Sequence, residues 1–122
     1  IMQALTRRNI PFVLAGSIRD DGPLPEVIAD AYKSQAAMYE RIHEATTIIC
    51  MATMLHSIAT GNLAASYHVL PDQTVRPKYF YAVDATEFAV NKLLDRGSLA
   101  ATTIVTNARD FVQVLAGRLG CL

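Results

Sequence analysis

The chain has 122 residues, 52% hydrophobic and 18% charged, which suits one globular domain with a single core and excludes a disordered tail. Eleven basic and eleven acidic residues give a net charge of zero with neither sign gathered in a stripe, so nucleic acid is not an expected partner. No apolar stretch reaches the roughly 18 residues needed to span a bilayer, so no membrane partner is expected. The two cysteines, Cys50 and Cys121, show neither CxxC nor Cys/His spacing. No metal site is expected, and a reducing, cytoplasmic setting is.

In chain order, Ile1 to Arg8 reads as the tail of a helix, with basic Arg7 and Arg8 at its end and Asn9 suited to the left-handed cap. A chain opening in mid-helix suggests a piece of a longer protein. Pro11 to Ala15 is continuously apolar and predicts a first strand buried on both faces. Gly16 to Pro25 is turn-rich. A helix is expected from about Pro25, with Ile28, Tyr32, Ala36, Tyr39 and His43 forming its buried stripe. Thr46 to Ala52 predicts the second strand. Thr53 to Ser57 then leads into a short helix, Ile58 to Ala65, interrupted at Gly61-Asn62.

Ser66 to Pro77, polar and with two prolines, reads as a surface excursion. Lys78 to Val83 predicts the third strand, ending at Asp84, and a helix is expected from about Thr86 to Arg96 carrying Phe88, Val90, Leu93 and Leu94. Ala101 to Val105 is the fourth strand. Asn107 is placed to cap a last helix whose inner face would hold Phe111, Val114, Leu115 and Leu119. Strands alternating with helices imply a Rossmann-like α/β fold: a parallel sheet with helices on both faces.

Ligands of open parallel sheets sit outside the carboxyl ends of the strands. That rule selects four places. In the first, Gly16 and Gly22 allow close backbone approach, and Ser17, Arg19, Asp20 and Asp21 add a hydroxyl, a cation and two carboxylates; the alternative is a turn using Asp and Gly for conformation alone. The second holds Thr53, His56, Ser57, Gly61 and Asn62. His56 is either a proton carrier near neutral pH or a cap of a helix end, and Gly61-Asn62 either a close approach to a ligand or a helix break. The third is Asp84, a ribose contact or a helix cap, and the fourth is Thr106-Asn107. His43 and His68 read as structural or solvated, and Tyr32 and Tyr39, at core spacing, as packing. The chain contains no GxGxxG, P-loop, GxSxG or HExxH.

Three ordered motifs carry a resemblance: Pro11 to Pro25 (PFVLAGSIRDDGPLP), Ala52 to Asn62 (ATMLHSIATGN), and Val83-Asp84 followed by Asp95 to Ser98 (DRGS). Together they resemble the LOR/SDH bifunctional enzyme conserved-region family. That family includes the archaeal-type ornithine cyclodeaminases and the C-terminal part of cyanobacterial arginine-degrading proteins. The resemblance implies the C-terminal part of a dinucleotide-binding domain of the deoxyhypusine-synthase-like type, over residues 1–122. It implies NAD as cofactor, an amino-acid substrate, and conversion of ornithine to proline with loss of ammonia.

On that reading Asp20 or Asp21 holds the substrate ammonium, Arg19 its carboxylate or the cofactor pyrophosphate, His56 carries a proton and Asp84 contacts ribose. Gly16, Ser17, Gly22, Thr53, Ser57, Gly61, Asn62 and Asn107 complete the expected cofactor set. Ala85-Thr86 and Asn107 depart from the family's Val-Asp-Ile-Asn and Val-Thr-Asp patterns, which implies a shifted cofactor or substrate preference. The alternatives are a non-catalytic nucleotide-binding module or a pure interaction domain. Open edges of a partial sheet favour a homo-oligomer.

Overall fold

The computed structural model describes residues 1–16, 25–96 and 101–121. The chain divides into two compact units, residues 1–41 and 42–122.

The first unit opens with α1 (Met2–Arg7), and Asn9 takes the left-handed conformation expected of a residue ending a helix, φ 58°. The run Pro11 to Ala15 is not a sheet strand among the described residues. It makes an isolated parallel bridge, in which Ile28 N donates to Leu14 O and Gly16 N to Ile28 O, each at 2.9 Å. Apolarity alone does not make a strand: Pro11 lacks an N–H, and Phe12 and Val13 stay exposed.

The next helix, α2 (Ala31–Glu44), starts six residues later than Pro25 would suggest. Asp30 decides the start, its Oδ1 accepting from Lys33 N at 2.8 Å, while Glu26 sits at φ 63°, outside any right-handed helix. The expected stripe fails as well. Tyr32 is 85% exposed and Tyr39 is also exposed, so their 3.6-residue spacing does not mark a packed face.

In the second unit the sheet expectation holds. Strands β1 (Thr47–Met51), β4 (Tyr79–Asp84) and β5 (Ala101–Val105) form a parallel sheet in the order β1-β4-β5. Their registers align Ile48 with Phe80, Cys50 with Ala82, and Phe80 with Ala101. Between β1 and β4 come α3 (Met54–Leu63) and the antiparallel hairpin β2 (Tyr67–Val69) and β3 (Val75–Pro77). Helix α4 (Glu87–Arg96) joins β4 to β5, and α5 (Ala108–Arg118) follows. Both crossovers advance the same way across the sheet, so right-handedness puts α3 and α4 on one face. There Phe80, Ala82 and a fully buried Val90 (0% exposed) form the core, joined by Ile48, Cys50, Ile58 and Ala101. Val83, one residue on from Ala82, is buried on the other face, and α5 packs against β4.

Three local expectations change here. Helix α3 begins at Met54 and runs unbroken through Gly61-Asn62, both of which sit in helical conformation. The excursion is an ordered hairpin. Its turn is closed by Leu70 N on Thr74 O and Gln73 N on Leu70 O, both 2.9 Å, with Asp72 accepting from Thr74 N and Oγ1. In α4 and α5 the outward residues Phe88, Leu94, Val114 and Leu119 are exposed, because each helix turns a narrow stripe inward: Ala89 and Val90 in α4, and the half-buried Phe111 and Leu115 in α5.

Phe80→Ala, which empties the middle of this core, is expected to destabilise the fold by about 3–5 kcal/mol in urea unfolding. Val114→Ala, on an exposed face, should change stability by less than about 0.5 kcal/mol in the same measurement.

Candidate functional site

Parallel strands bring their carboxyl ends to one edge. Met51 aligns with Val83 and Asp84 with Val105, so Ala52-Thr53, Asp84 to Thr86 and Thr106-Asn107 line a common rim. The rim is stitched by Ala52 N donating to Val83 O and Thr106 N to Asp84 O, each 2.9 Å. Four of the expected places thus reduce to three that the second unit gathers. Gly16 belongs to the first unit, and Ser17, Arg19, Asp20, Asp21 and Gly22 lie outside the described residues.

The three helices leaving the rim begin differently. At α5, Asn107 Oδ1 accepts from Arg109 N at 2.8 Å, so its side chain is spent as a cap. Before α4, Asp84 Oδ1 accepts from Thr86 N and Thr86 Oγ1, both 2.9 Å. The bland reading of Asp84 is therefore realised in half the carboxylate, while Oδ2 has no hydrogen bond among the described residues. At α3, Thr53 is extended (φ −150°, ψ 110°) and its side chain caps nothing. The first-turn amides of Met54, Leu55 and His56 are left with no side-chain acceptor at their helix end, which is where a helix favours an anion.

His56 stands in this first turn, half-buried, with its own carbonyl accepting from Thr60 Oγ1 at 2.7 Å. Ser57 is buried (2% exposed) and its hydroxyl and amide both donate to Thr53 O, so it closes the helix turn and does not face the rim. Gly61 and Asn62 lie in the last turn of α3, about 10 Å further along the helix axis. Helical spacing carries them away from the rim, whatever the likeness of the motif that contains them. Gly16 is not sterically demanded by its neighbours: an added Cβ would meet Ile28 O at 3.4 Å and Val27 Cγ1 at 3.6 Å, ordinary contacts.

Two features escaped the sequence reading. Ala52, the hinge between β1 and Thr53, adopts φ 54°, a left-handed conformation that costs a non-glycine residue of order 1 kcal/mol. The His43 and His68 rings, 25 positions apart in sequence, come within 5.7 Å of each other. No local signal announced either, because both arise from chain reversal. Cys50, facing the core, has its thiol pKa pushed up by burial, opposed by hydrogen bonds with Ser57 and Thr60.

A parallel sheet flanked by helices, with an open helix end and an acidic strand end on its carboxyl rim, defines a Rossmann-type domain. Residues 1–115 match the family of the arginine dihydrolase ArgZ-like C-terminal Rossmann fold, and the chain belongs to that family. It is 44% identical over 115 residues to an ornithine cyclodeaminase of Methanothermobacter thermautotrophicus, covering 94% of this chain and 26% of that protein. It is 38% identical to the bifunctional arginine dihydrolase/ornithine cyclodeaminase AgrE of a Nostoc species, covering 98% of this chain and 16% of AgrE. The chain thus spans about a quarter of the archaeal relatives' length.

Among solved structures, a LOR/SDH protein of Methanococcus maripaludis superposes with TM-score 0.83 at 39% identity, over 98% of this chain and 33% of that one. AgrE in ternary complex with ornithine and NAD+ gives TM-score 0.76 at 38% identity, over 98% of this chain and 16% of that one.

Ala52→Gly is expected to stabilise the protein by roughly 0.5–1 kcal/mol in thermal or urea unfolding, since glycine adopts the left-handed hinge without strain. Cys121, exposed, should alkylate well before Cys50 near pH 8, as followed by peptide mass spectrometry. Because the Cys50 thiol is raised in the folded state, its contribution to stability is complete below the ordinary thiol range. It should be lost as pH rises through the elevated value, an effect removed in Cys50→Ala.

Proposed function

We propose that this chain is the C-terminal NAD-binding portion of an ornithine cyclodeaminase-type enzyme, which releases ammonia from ornithine and forms proline. The observation that carries this reading is the 44% identity to archaeal ornithine cyclodeaminases across almost the whole chain. The residues present fit a dinucleotide. The uncapped amino end of α3 suits a pyrophosphate, and the remaining Asp84 oxygen suits ribose hydroxyls.

NAD, where bound, would supply the hydride-transfer chemistry, and the first-turn amides of α3 and the Asp84 carboxylate are the groups that would hold it. The protein's own tasks are orientation and proton handling. The first-turn amides of α3 hold the phosphates from Thr53 onward, and Asp84 fixes the ribose. His56, in the same turn, takes and returns the proton that must leave the substrate nitrogen. Asp20 or Asp21 holds the substrate ammonium, and Arg19 its carboxylate or the pyrophosphate. Gly16, Ser17 and Gly22 are the backbone approach to the ligand. The open outer edges of β1 and β5 in the described sheet support assembly with further copies of the protein.

Calorimetry on the full-length protein should show NAD binding, and an assay with ornithine should show ammonia release. Asp84→Asn keeps an acceptor for Thr86 but replaces the free oxygen by a donor. It is expected to weaken NAD binding roughly tenfold with little change in stability. His56→Gln, and at least one of Asp20→Asn and Asp21→Asn, should lower turnover by about 100-fold or more. Undiminished turnover in all three would refute these roles, and NAD binding without ammonia release would identify a non-catalytic module.

A further inference from the structure

The edge of the sheet opposite the rim carries a second cluster of polar groups. Lys78 immediately precedes β4 and is only 4% exposed. Its Nζ donates to Ile42 O at 2.7 Å and His43 O at 2.8 Å, the last turn of α2. An ammonium has three donors, so one remains, and among the described residues its charge meets no carboxylate. The partial negative charge of a helix carboxyl end offsets only part of a full positive charge. Burial accordingly pushes the Lys78 ammonium below the usual lysine range.

Beside it lies a cavity of about 590 Å³, walled by Lys78, His43, His68, Gln73 and Tyr67 together with apolar residues in and next to the hairpin. The two imidazoles face each other at 5.7 Å with a 59° tilt. Arg76 is the cross-strand partner of His68, and residues opposed in an antiparallel ladder project to the same side, so a guanidinium leaves the hairpin beside His68. The acids of the neighbouring elements do not line the cavity: Asp72 is engaged with Thr74 in the hairpin turn, and Glu44 follows His43 on α2 without contributing to the wall. The ionisable side chains of the wall are Lys78, the two imidazoles and the Tyr67 phenol, and no carboxylate is among them. The Lys78 ammonium and the N–H groups of the imidazoles and of Gln73 can donate to an oxyanion, and the volume falls within the range of small-molecule sites.

We propose that the cavity between His43, His68 and Lys78 binds a small oxyanion, the phosphate or carboxylate group of a small molecule. The six residues of β4 separate it from Asp84 by about 20 Å. A ligand held here is therefore not the one that reacts at the rim. Its anion completes the donor set of Lys78, the residue that ties α2 to the start of β4. The proposal does not depend on the cofactor reading.

The test is calorimetric titration of the full-length protein with inorganic phosphate and, separately, with acetate, each against chloride at matched ionic strength. Saturable binding of phosphate is expected if the ligand group is a phosphate, and of acetate if it is a carboxylate. His68→Gln, on the half-buried wall of a surface hairpin, should weaken that binding roughly tenfold. Asp84→Asn, which alters only the rim, should leave it unchanged. Absence of saturable binding for both anions overturns the proposal. So does binding that survives His68→Gln at full strength but falls in Asp84→Asn, which would place the anion at the rim.

Discussion

The parallel register of β4 between β1 and β5 is the constraint on which the rest of this structure depends. β4 is buried on both faces, Phe80 and Ala82 against α3 and α4, Val83 on the other side. Because its two neighbours run the same way, their carboxyl ends arrive together, and Ala52, Asp84 and Thr106, far apart in sequence, become a single rim. Both crossovers must be right-handed, which stacks α3 and α4 on one face and aims the start of α3 at that rim. Fold and site are consequences of one pairing pattern.

At the rim, local hydrogen bonding sorts the candidates by availability. Asn107 is consumed by capping α5, and Asp84 gives one oxygen to Thr86 and keeps the other. Thr53 caps nothing, so the amides behind it stay open to a ligand. Helices that cap themselves are stable on their own account, whereas a helix left uncapped at a strand's carboxyl end leaves a polarised group for something else to satisfy. Ala52 adds strain at the same corner, since a left-handed alanine holds α3 at the angle that points its first turn over the strand ends.

The opposite edge follows a different logic. Lys78 has no carboxylate among the described residues and relies on the carbonyls of Ile42 and His43. The hairpin then brings His68 and Arg76 to that edge. A segment that reads as a polar excursion thereby becomes a wall with its own chemistry. The six residues of β4 keep the two edges apart.

The alternation of strand and helix from Thr46 onward was legible because β-branched and apolar runs such as Thr47–Met51 and Ala101–Val105 are buried by the sheet they form. The family was legible too, since three ordered motifs spread along the chain are specific even where GxGxxG is missing. What lay beyond the sequence depended on partners that only tertiary structure supplies. Pro11 to Ala15 has the composition of a strand, but a strand exists only where another backbone pairs with it, and here a single bridge does. Ser57, Gly61 and Asn62 share a motif with His56, yet helical geometry separates them, because neighbours in sequence diverge by 100° and 1.5 Å at every step. The contact of His43 with His68 had no sequence signature, since it was made by a chain reversal and not by spacing.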